Sequence, residues 1–221
     1  MESESKSMTN TEDDEVEEKE FTAQGVLLAI EKAWLNEKFA PEILPHQSEL
    51  VDCMLQQITH MEENMKRLEK GDLRLMIHMM ELDRIRFLVS SYLRTRLEKI
   101  EKYVIHILSQ EADRSLEDCY LTSAELQFAK DYLASIETLF KATALSHMPG
   151  NFQGFEKEQL IVKPNMHAYI FLQSNDRING VVLPGSLDEE INFEPGSAHI
   201  VPYKAVADLV KVENQTNLHF L

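Results

Sequence analysis

The residue types that most often carry out chemistry are present in this sequence, but their spacing matches no familiar catalytic or metal-binding pattern. Eight histidines are spread along the chain, at positions 46, 60, 78, 106, 147, 167, 199 and 219. None belongs to a His-Glu-x-x-His zinc motif, and no Cys-x-x-Cys pair accompanies them. The adjacent carboxylates Glu62-Glu63 and Asp188-Glu189-Glu190 are expected on solvated faces, which disfavours acid–base catalysis. Because glycine-rich phosphate loops and nucleophilic serine motifs are also absent, we predict no catalytic site, metal or cofactor.

A different chemistry, the pairing of fixed charges, is concentrated between residues 80 and 103. This stretch has no glycine or proline, and its basic residues are Arg84, Arg86, Arg94, Arg96, Lys99 and Lys102. Apolar residues recur among them every three or four positions, which predicts a long amphipathic helix. Two interpretations stay open. The arginine stems flank the protein's own core and their heads pair with local carboxylates, or the helix is an assembly surface on which arginine makes bidentate contacts.

The overall charge argues against one class of function. The 221 residues include 38 acidic and 22 basic side chains, so the formal net charge is −16. Affinity for nucleic acid depends largely on neutralising phosphates. We therefore expect no strong DNA binding by this chain alone, and any DNA contact would come through a partner or a local patch.

The first 20 residues are predicted to be a disordered acidic tail. They contain nine acids and two lysines, and too few aliphatic side chains to offset the entropy of ordering. A solvated tail is the simpler interpretation, and a phosphorylatable tether is the alternative. The sequence shows no apolar signal core and no run of about 18 apolar residues. Its two cysteines suit a reducing compartment as buried free thiols, so we expect a soluble intracellular protein without a membrane span.

Residues 21–148 have the pattern of an all-α helical bundle domain with about four helices. The first helix is predicted to begin near Thr22 and to end near Phe39, ahead of two prolines. Trp34, the only tryptophan, is predicted to anchor the core close to the end of this helix. The second helix is predicted to cover residues 48–70.

A long helix is predicted next, because Gly71 can end one helix and Asp72 can cap the following one. Its pattern continues to Leu108, and a length of about 55 Å exceeds what one small domain can bury, which favours an obligate partner. Residues 109–121 are predicted to form a polar loop, and Thr122-Ser123-Ala124-Glu125 a capping box that opens the last helix. Six methionines at helical spacing are predicted to fill the core or an interface: Met54, Met61, Met65, Met76, Met79 and Met80.

The composition changes after residue 148, where prolines and short β-like runs become frequent. These runs are residues 168–172, 178–183, 191–193, 199–201 and 217–221, with one short helix predicted at residues 203–210. The predicted fold class is α+β: an N-terminal all-α helical bundle domain at residues 21–148 (A domain), a linker at 149–165 and a small β-rich C-terminal domain at 166–221 (B domain). A unit of about 55 residues is too small to be strongly stable alone. We expect it to dock on the helices or on a partner.

Several ordered strings resemble the Sld-five family of subunits of the eukaryotic GINS complex. In the helical part they are WLNEKFAPEIL at residues 34–44, HMEEN at 60–64, RIR at 84–86 and YLRTRLEKIEK at 92–102. In the C-terminal part they are YIFL at residues 169–172, GSAH at 196–199, and YK at 203–204 before ADLV at 207–210. The resemblance extends from about residue 22 to the end of the sequence and includes several motifs in the same order.

The resemblance implies a non-enzymatic scaffold in DNA replication, located in the nucleus. In this family four related subunits, each with an A and a B domain, form the GINS heterotetramer. GINS joins the Mcm hexamer and a RecJ-like partner in the active replicative helicase, and it is needed for initiation and elongation. The ATPase belongs to the Mcm ring. Because the long helices build the tetramer interface in the family, the resemblance implies partner contacts by Arg84, Ile85, Leu88, Tyr92, Arg94, Arg96, Leu97 and Ile100.

Two other functions stay open at the level of the sequence. One is a free-standing helical adaptor with another partner, which a stable monomer would favour. The other is an enzyme whose site is assembled from dispersed residues, which a deep pocket with perturbed ionisable groups would favour. A direct DNA contact through residues 84–102 is expected only inside an assembly.

Overall fold

A computed structural model describes residues 23–68, 71–115, 118–183, 190–211 and 218–220 of the chain. The predicted acidic tail and the predicted start of the first helix at Thr22 lie outside these residues. Within them, a group of long helices precedes a small unit that contains strands. This arrangement confirms the predicted α+β fold class.

The helical part of the described chain has four long α-helices. They are α1 (Ala23–Phe39), α2 (Ser48–Met65), α3 (Leu73–Asp113) and α4 (Ser123–Thr143). Two helix starts are fixed by side-chain caps, as the sequence predicts. The Asp72 carboxylate accepts a hydrogen bond from the backbone N–H of Arg74, and Thr122 and Glu125 form a complete capping box.

Two helix ends differ from the prediction. Helix α2 ends at Met65 rather than at Lys70, because the amides of Arg67 and Leu68 donate to the carbonyls three residues earlier instead of four. Helix α3 continues past Leu108 through part of the predicted polar loop and ends at Asp113. Its last turn is held by Glu111, whose carboxylate pairs with Arg114 and accepts the backbone N–H of Tyr120. These contacts depend on the following loop, so helical periodicity alone does not predict them.

Helix α3 is the centre of the bundle, and the other three helices pack on it. Its first half packs with α1 and α2 around Ile30, Met54 and Leu82. Its second half, which is kinked at Tyr103, packs with α4 around Ile100 and Ala129. Full burial of each large aliphatic side chain contributes about 1.5–3 kcal/mol, so α3 is fixed by two separate apolar clusters along its length.

The strand-containing unit is built around one central strand. Its strands are β1 (Tyr169–Ser174), β2 (Ile178–Val182), β3 (Glu190–Phe193), β4 (Ala198–Pro202) and β5 (Leu218–Phe220). β1 pairs antiparallel with β4 and β5 in the order β4–β1–β5, and β2 pairs with β3. The predicted helix at 203–210 is divided into a 3-10 turn (Tyr203–Ala205) and α5 (Ala207–Lys211). We retain residues 149–165 as the proposed linker.

The strand-containing unit packs against its own helical domain. Its core includes Ala40 and Leu44 of the segment that joins α1 to α2, residues 40–47, here called the α1–α2 loop. Tyr203 and Phe220 of the same core are completely buried. Of the two docking sites that the sequence left open, the helices or a partner, the structure places this unit on the helices.

Two general expectations can be compared with the described residues. None of the described helices combines the length and the apolar character needed to cross a bilayer. Cys53 and Cys119 are free thiols, and both are half-buried rather than fully buried.

Candidate assembly surface

The described residues contain no group of three or more histidine, cysteine or carboxylate side chains placed to hold a metal ion. The strongest concentration of ionisable groups lies instead in the interior, where α1, α3 and α4 meet. It consists of Glu37, Arg96, Lys99 and Glu125, here called the buried charge cluster.

Arg96 is the centre of this cluster and is only 1% exposed. Its guanidinium donates to the Glu125 carboxylate at 2.7 Å and 3.1 Å, and to the Glu37 carboxylate at 3.1 Å. It also donates to the backbone carbonyls of Leu44 and Tyr120, both at 2.8 Å. All five N–H donors of the side chain are therefore used within the chain.

Lys99 lies one helical turn further along α3 and is also buried. Its Nζ donates to the Glu37 carboxylate and to the backbone carbonyl of Glu42, each at 2.7 Å, and to the carbonyl of Glu37. Burial lowers the pKa of this ammonium, and the nearby charge of Glu37 partly opposes that change. The cluster thus contains two cations and two carboxylates with matched donors and acceptors.

The ionisation of Arg96 and Glu125 is mutually stabilised. Burial lowers the pKa of the Arg96 guanidinium, but its hydrogen bonds with Glu125 and the charge of Glu37 outweigh burial and raise that pKa. Burial raises the pKa of Glu125, but the hydrogen bonds and charge of Arg96 outweigh it and lower that pKa. The pair therefore stays ionised in the folded chain.

This geometry disfavours the partner contact predicted for Arg96. A guanidinium with 1% exposure and five donors used inside the chain has no surface to offer to another subunit. Four apolar residues of the predicted partner interface are also buried within the chain: Ile85, Leu88, Tyr92 and Ile100. The hydroxyl of Tyr92 accepts the backbone N–H of Gln47, and burial raises its pKa to about 12.

Trp34 lies at the edge of the α1–α2–α3 core rather than at its centre. The ring is half-buried and packs beside the apolar cluster, with its centroid 6.0 Å from that of Phe87 in a T-shaped contact. Its Nε1 donates to Ser91 Oγ at 2.9 Å. The residue joins the C-terminal half of α1 to α3, near the position that the sequence predicts for an anchor.

Three of the predicted interface residues remain on the surface of α3. The Arg84 guanidinium is 3.3 Å from the Glu31 carboxylate of α1. Arg94 is exposed and forms no ion pair with any residue of the described chain. Leu97 is 37% exposed one turn further on. Arg94 and Leu97 therefore form the part of the predicted set that is available to a partner.

The structure also reveals an apolar stripe at the start of α3 that the predicted interface set does not include. Five side chains with exposed fractions between 52% and 71% recur at helical spacing. They are here called the α3 apolar face: Leu73, Met76, Ile77, Met80 and Phe87. Apolar surface of this kind marks interaction sites, and methionine adapts well to a partner's shape. The helical spacing of the methionines is the feature of the sequence that points to this face, but the same spacing is equally consistent with a place in the core.

A second apolar surface lies on the three-stranded sheet. Tyr169 and Phe171 of β1 and Ile200 of β4 are 57% to 75% exposed, and Phe171 is directly opposite Ile200. Alternate residues of β1, Ile170 and Leu172, face the core on the other side. We call the exposed trio the outer sheet face. A strand that is apolar on both faces is typical of a sheet covered on both sides.

Comparison with known proteins gives two family matches along this chain. Residues 48–144 match a model named Sld5 and described as "GINS complex protein helical bundle domain", which spans α2 to α4. Residues 164–216 match a model named SLD5_C and described as "DNA replication complex GINS protein SLD5 C-terminus", which includes β1 to β4.

Curated relatives with the name "DNA replication complex GINS protein SLD5" cover most of the chain. The protein from Bos taurus is 46% identical over 203 residues, which make up 90% of this chain and 91% of that protein. The Homo sapiens protein is 41% identical over 199 residues, or 88% and 89% of the two chains. The Arabidopsis thaliana protein is 34% identical over 189 residues, or 80% and 84%.

Proposed function

Because the chain belongs to the SLD5 family of GINS complex proteins, we propose that it is a non-catalytic subunit of a GINS heterotetramer that acts in DNA replication. The observation that carries this proposal is the similarity over about nine tenths of the chain, which includes both the helical and the strand-containing units. In this role its partners are the three other GINS subunits.

A finer role follows from the resemblance that the sequence motifs carry. The tetramer acts as a scaffold and activator that joins the Mcm hexamer and a RecJ-like partner in the replicative helicase. It serves initiation and elongation in the nucleus. The chain itself supplies no ATPase, in keeping with the absence of a nucleotide-binding motif from its sequence.

The surface of the described chain supports an obligate subunit. The α3 apolar face and the outer sheet face both expose large side chains that a free monomer would keep in water at a cost of about 25 cal/mol per Å². Covering either face with another subunit removes that cost. We propose that Arg94 and Leu97 extend the contact along α3.

The interior supports a structural rather than a catalytic use of charge. Arg96 and Lys99 are fully paired with Glu37, Glu125 and backbone carbonyls. A general base or nucleophile needs access to a substrate, and these groups are enclosed by α1, α3 and α4.

The test is to express this chain with and without the three other GINS subunits and to determine the mass by light scattering. We expect a complex with one copy of each subunit, and aggregation or poor recovery of the chain on its own. A well-behaved monomer that ignores all three subunits would overturn the proposal and favour a free-standing helical adaptor.

A further inference from the structure

One residue of the α1–α2 loop is bonded to both domains of the chain. The Glu42 Oε1 atom accepts the Tyr203 O–H at 2.9 Å and lies 2.7 Å from Lys211 Nζ. The backbone carbonyl of Glu42 accepts from Lys99 Nζ at 2.7 Å. The carboxylate therefore holds the strand-containing domain, while its main chain is held by the long helix.

The two partners of the Glu42 carboxylate differ in their access to solvent. Tyr203 is completely buried, and burial together with the charge of Glu42 raises its pKa, so its hydroxyl stays protonated and donates. Without Glu42 that hydroxyl would be left in the interior without this acceptor, which is costly. The Lys211 side chain is 22% exposed and could turn to solvent.

Other contacts between the domains are apolar or long. Ala40 and Leu44 pack against the C-terminal core, and the Phe220 N–H donates to Asn36 Oδ1 at 3.3 Å. The Glu42 contacts are shorter, and one of them joins two opposite charges. Glu42 is therefore the main directional contact between the domains among the described residues.

We infer that Glu42 is a positioning residue that locks the strand-containing domain onto the helical domain before any partner binds. The chain then presents the α3 apolar face and the outer sheet face in one fixed arrangement. Since the contacts lie within one chain, this inference does not depend on the proposed partners, and it can be tested separately from the proposed function.

The test is hydrogen–deuterium exchange of the full chain in the co-expressed complex or, if no complex forms, of the soluble chain alone. In Glu42→Ala, we expect exchange in peptides covering residues 36–47 and 203–211 to rise by about tenfold, the factor for losing one hydrogen bond to a charged group. The matched control is Glu137→Ala, because Glu137 also pairs with two lysines, Lys141 and Lys157, but far from the domain contact. Glu137→Ala should leave the exchange of those peptides unchanged.

A double variant distinguishes the loss of the contact between the domains from a general loss of stability. Tyr203→Phe removes the hydroxyl that Glu42→Ala leaves unsatisfied, so the double variant should recover part of the lost protection. Wild-type exchange in Glu42→Ala would overturn the inference. The inference would also be overturned if Glu42→Ala raised exchange equally in α4 and in residues 203–211, and if the double variant did not reduce that increase.

Discussion

At the scale of single residues, α3 uses neighbouring arginines for opposite purposes. Arg94 and Arg96 are two positions apart, so they point to different sides of the helix. Arg96 joins Glu37 and Glu125 in the interior, whereas Arg94 is exposed. Both are among the partner contacts that the family resemblance implies. The sequence does not show that Arg96 is buried, because the carboxylates that receive Arg96 come from distant parts of the sequence.

Removing the centre of the buried charge cluster should destabilise the fold strongly. We expect Arg96→Leu to lower the free energy of unfolding by about 3–5 kcal/mol, because Glu125 loses its cationic partner and Glu37 keeps only Lys99. Urea unfolding followed by circular dichroism measures this loss. Arg94→Leu, on the same helix, should change stability by no more than about 0.5 kcal/mol. Equal effects of the two substitutions would contradict the assignment of Arg96 to the interior.

The depressed pKa of Glu125 predicts a dependence of stability on pH. The unfolded chain binds more protons than the folded one between the folded pKa of Glu125 and its ordinary value of 4.5. The contribution of Glu125 is therefore complete above that range and is lost as the pH falls through it. Glu125→Gln should flatten this part of the stability curve in urea titrations at successive pH values. An identical slope in variant and wild type would refute the prediction.

Arg94 gives the corresponding prediction for the surface. We expect Arg94→Glu to weaken tetramer formation while helicity is largely unchanged, because the side chain is exposed and forms no ion pair within the described chain. Co-purification of the other three subunits with the variant measures the effect, with Arg94→Lys as the charge-preserving control. Recovery of the complex at wild-type yield would remove Arg94 from the interface.

At the scale of secondary structure, α3 has two apolar sides with different uses. One side packs on α1, α2 and α4, and the other carries the α3 apolar face. Periodicity predicts the helix well, and its cap at Asp72 is confirmed. It does not show which apolar side belongs to the monomer's core. The extension to Asp113 is also missed, since it depends on contacts of Glu111 with Arg114 and Tyr120.

A charge placed on the α3 apolar face should affect assembly and not folding. We expect Met80→Glu to reduce the yield of the tetramer, because it places a charge in a surface from which, in our proposal, another subunit excludes water. The stability of the chain should change by about 0.5 kcal/mol or less, since Met80 is exposed. Met79→Glu is the matched control, as Met79 is also exposed but points about 100° away around the helix. If both variants assembled equally well, this face would not be an interface.

At the scale of the whole molecule, the sequence predicts the two units and their fold class, but not how they meet. In the docked arrangement Tyr203 contacts Glu42 of the α1–α2 loop, 161 positions away, and Phe220 contacts Asn36 of α1, 184 positions away. No local sequence pattern predicts contacts between residues so far apart in the chain. The outer sheet face is missed for a related reason, because two apolar sides of a short strand look alike in the sequence.

The outer sheet face gives a prediction at this scale. We expect Phe171→Glu to reduce assembly with the other subunits while the domain stays folded, since Phe171 is on the exposed side of β1. Val182→Glu is the control, because Val182 is similarly exposed but lies on the β2–β3 hairpin. Light scattering of the co-expressed complexes distinguishes the two. Normal assembly of Phe171→Glu would restrict the interface to the helical domain.

The contact between Asn36 and Phe220 also sets an order of events during synthesis. The amide of residue 220 meets the side chain of residue 36 across 184 positions, so this contact between the two domains cannot form until residue 220 has left the ribosome. The four long helices are complete about 25 codons before β1 begins. A nascent chain therefore exposes the α3 apolar face for some time before its C-terminal domain exists, and a subunit that binds early would meet the helices first.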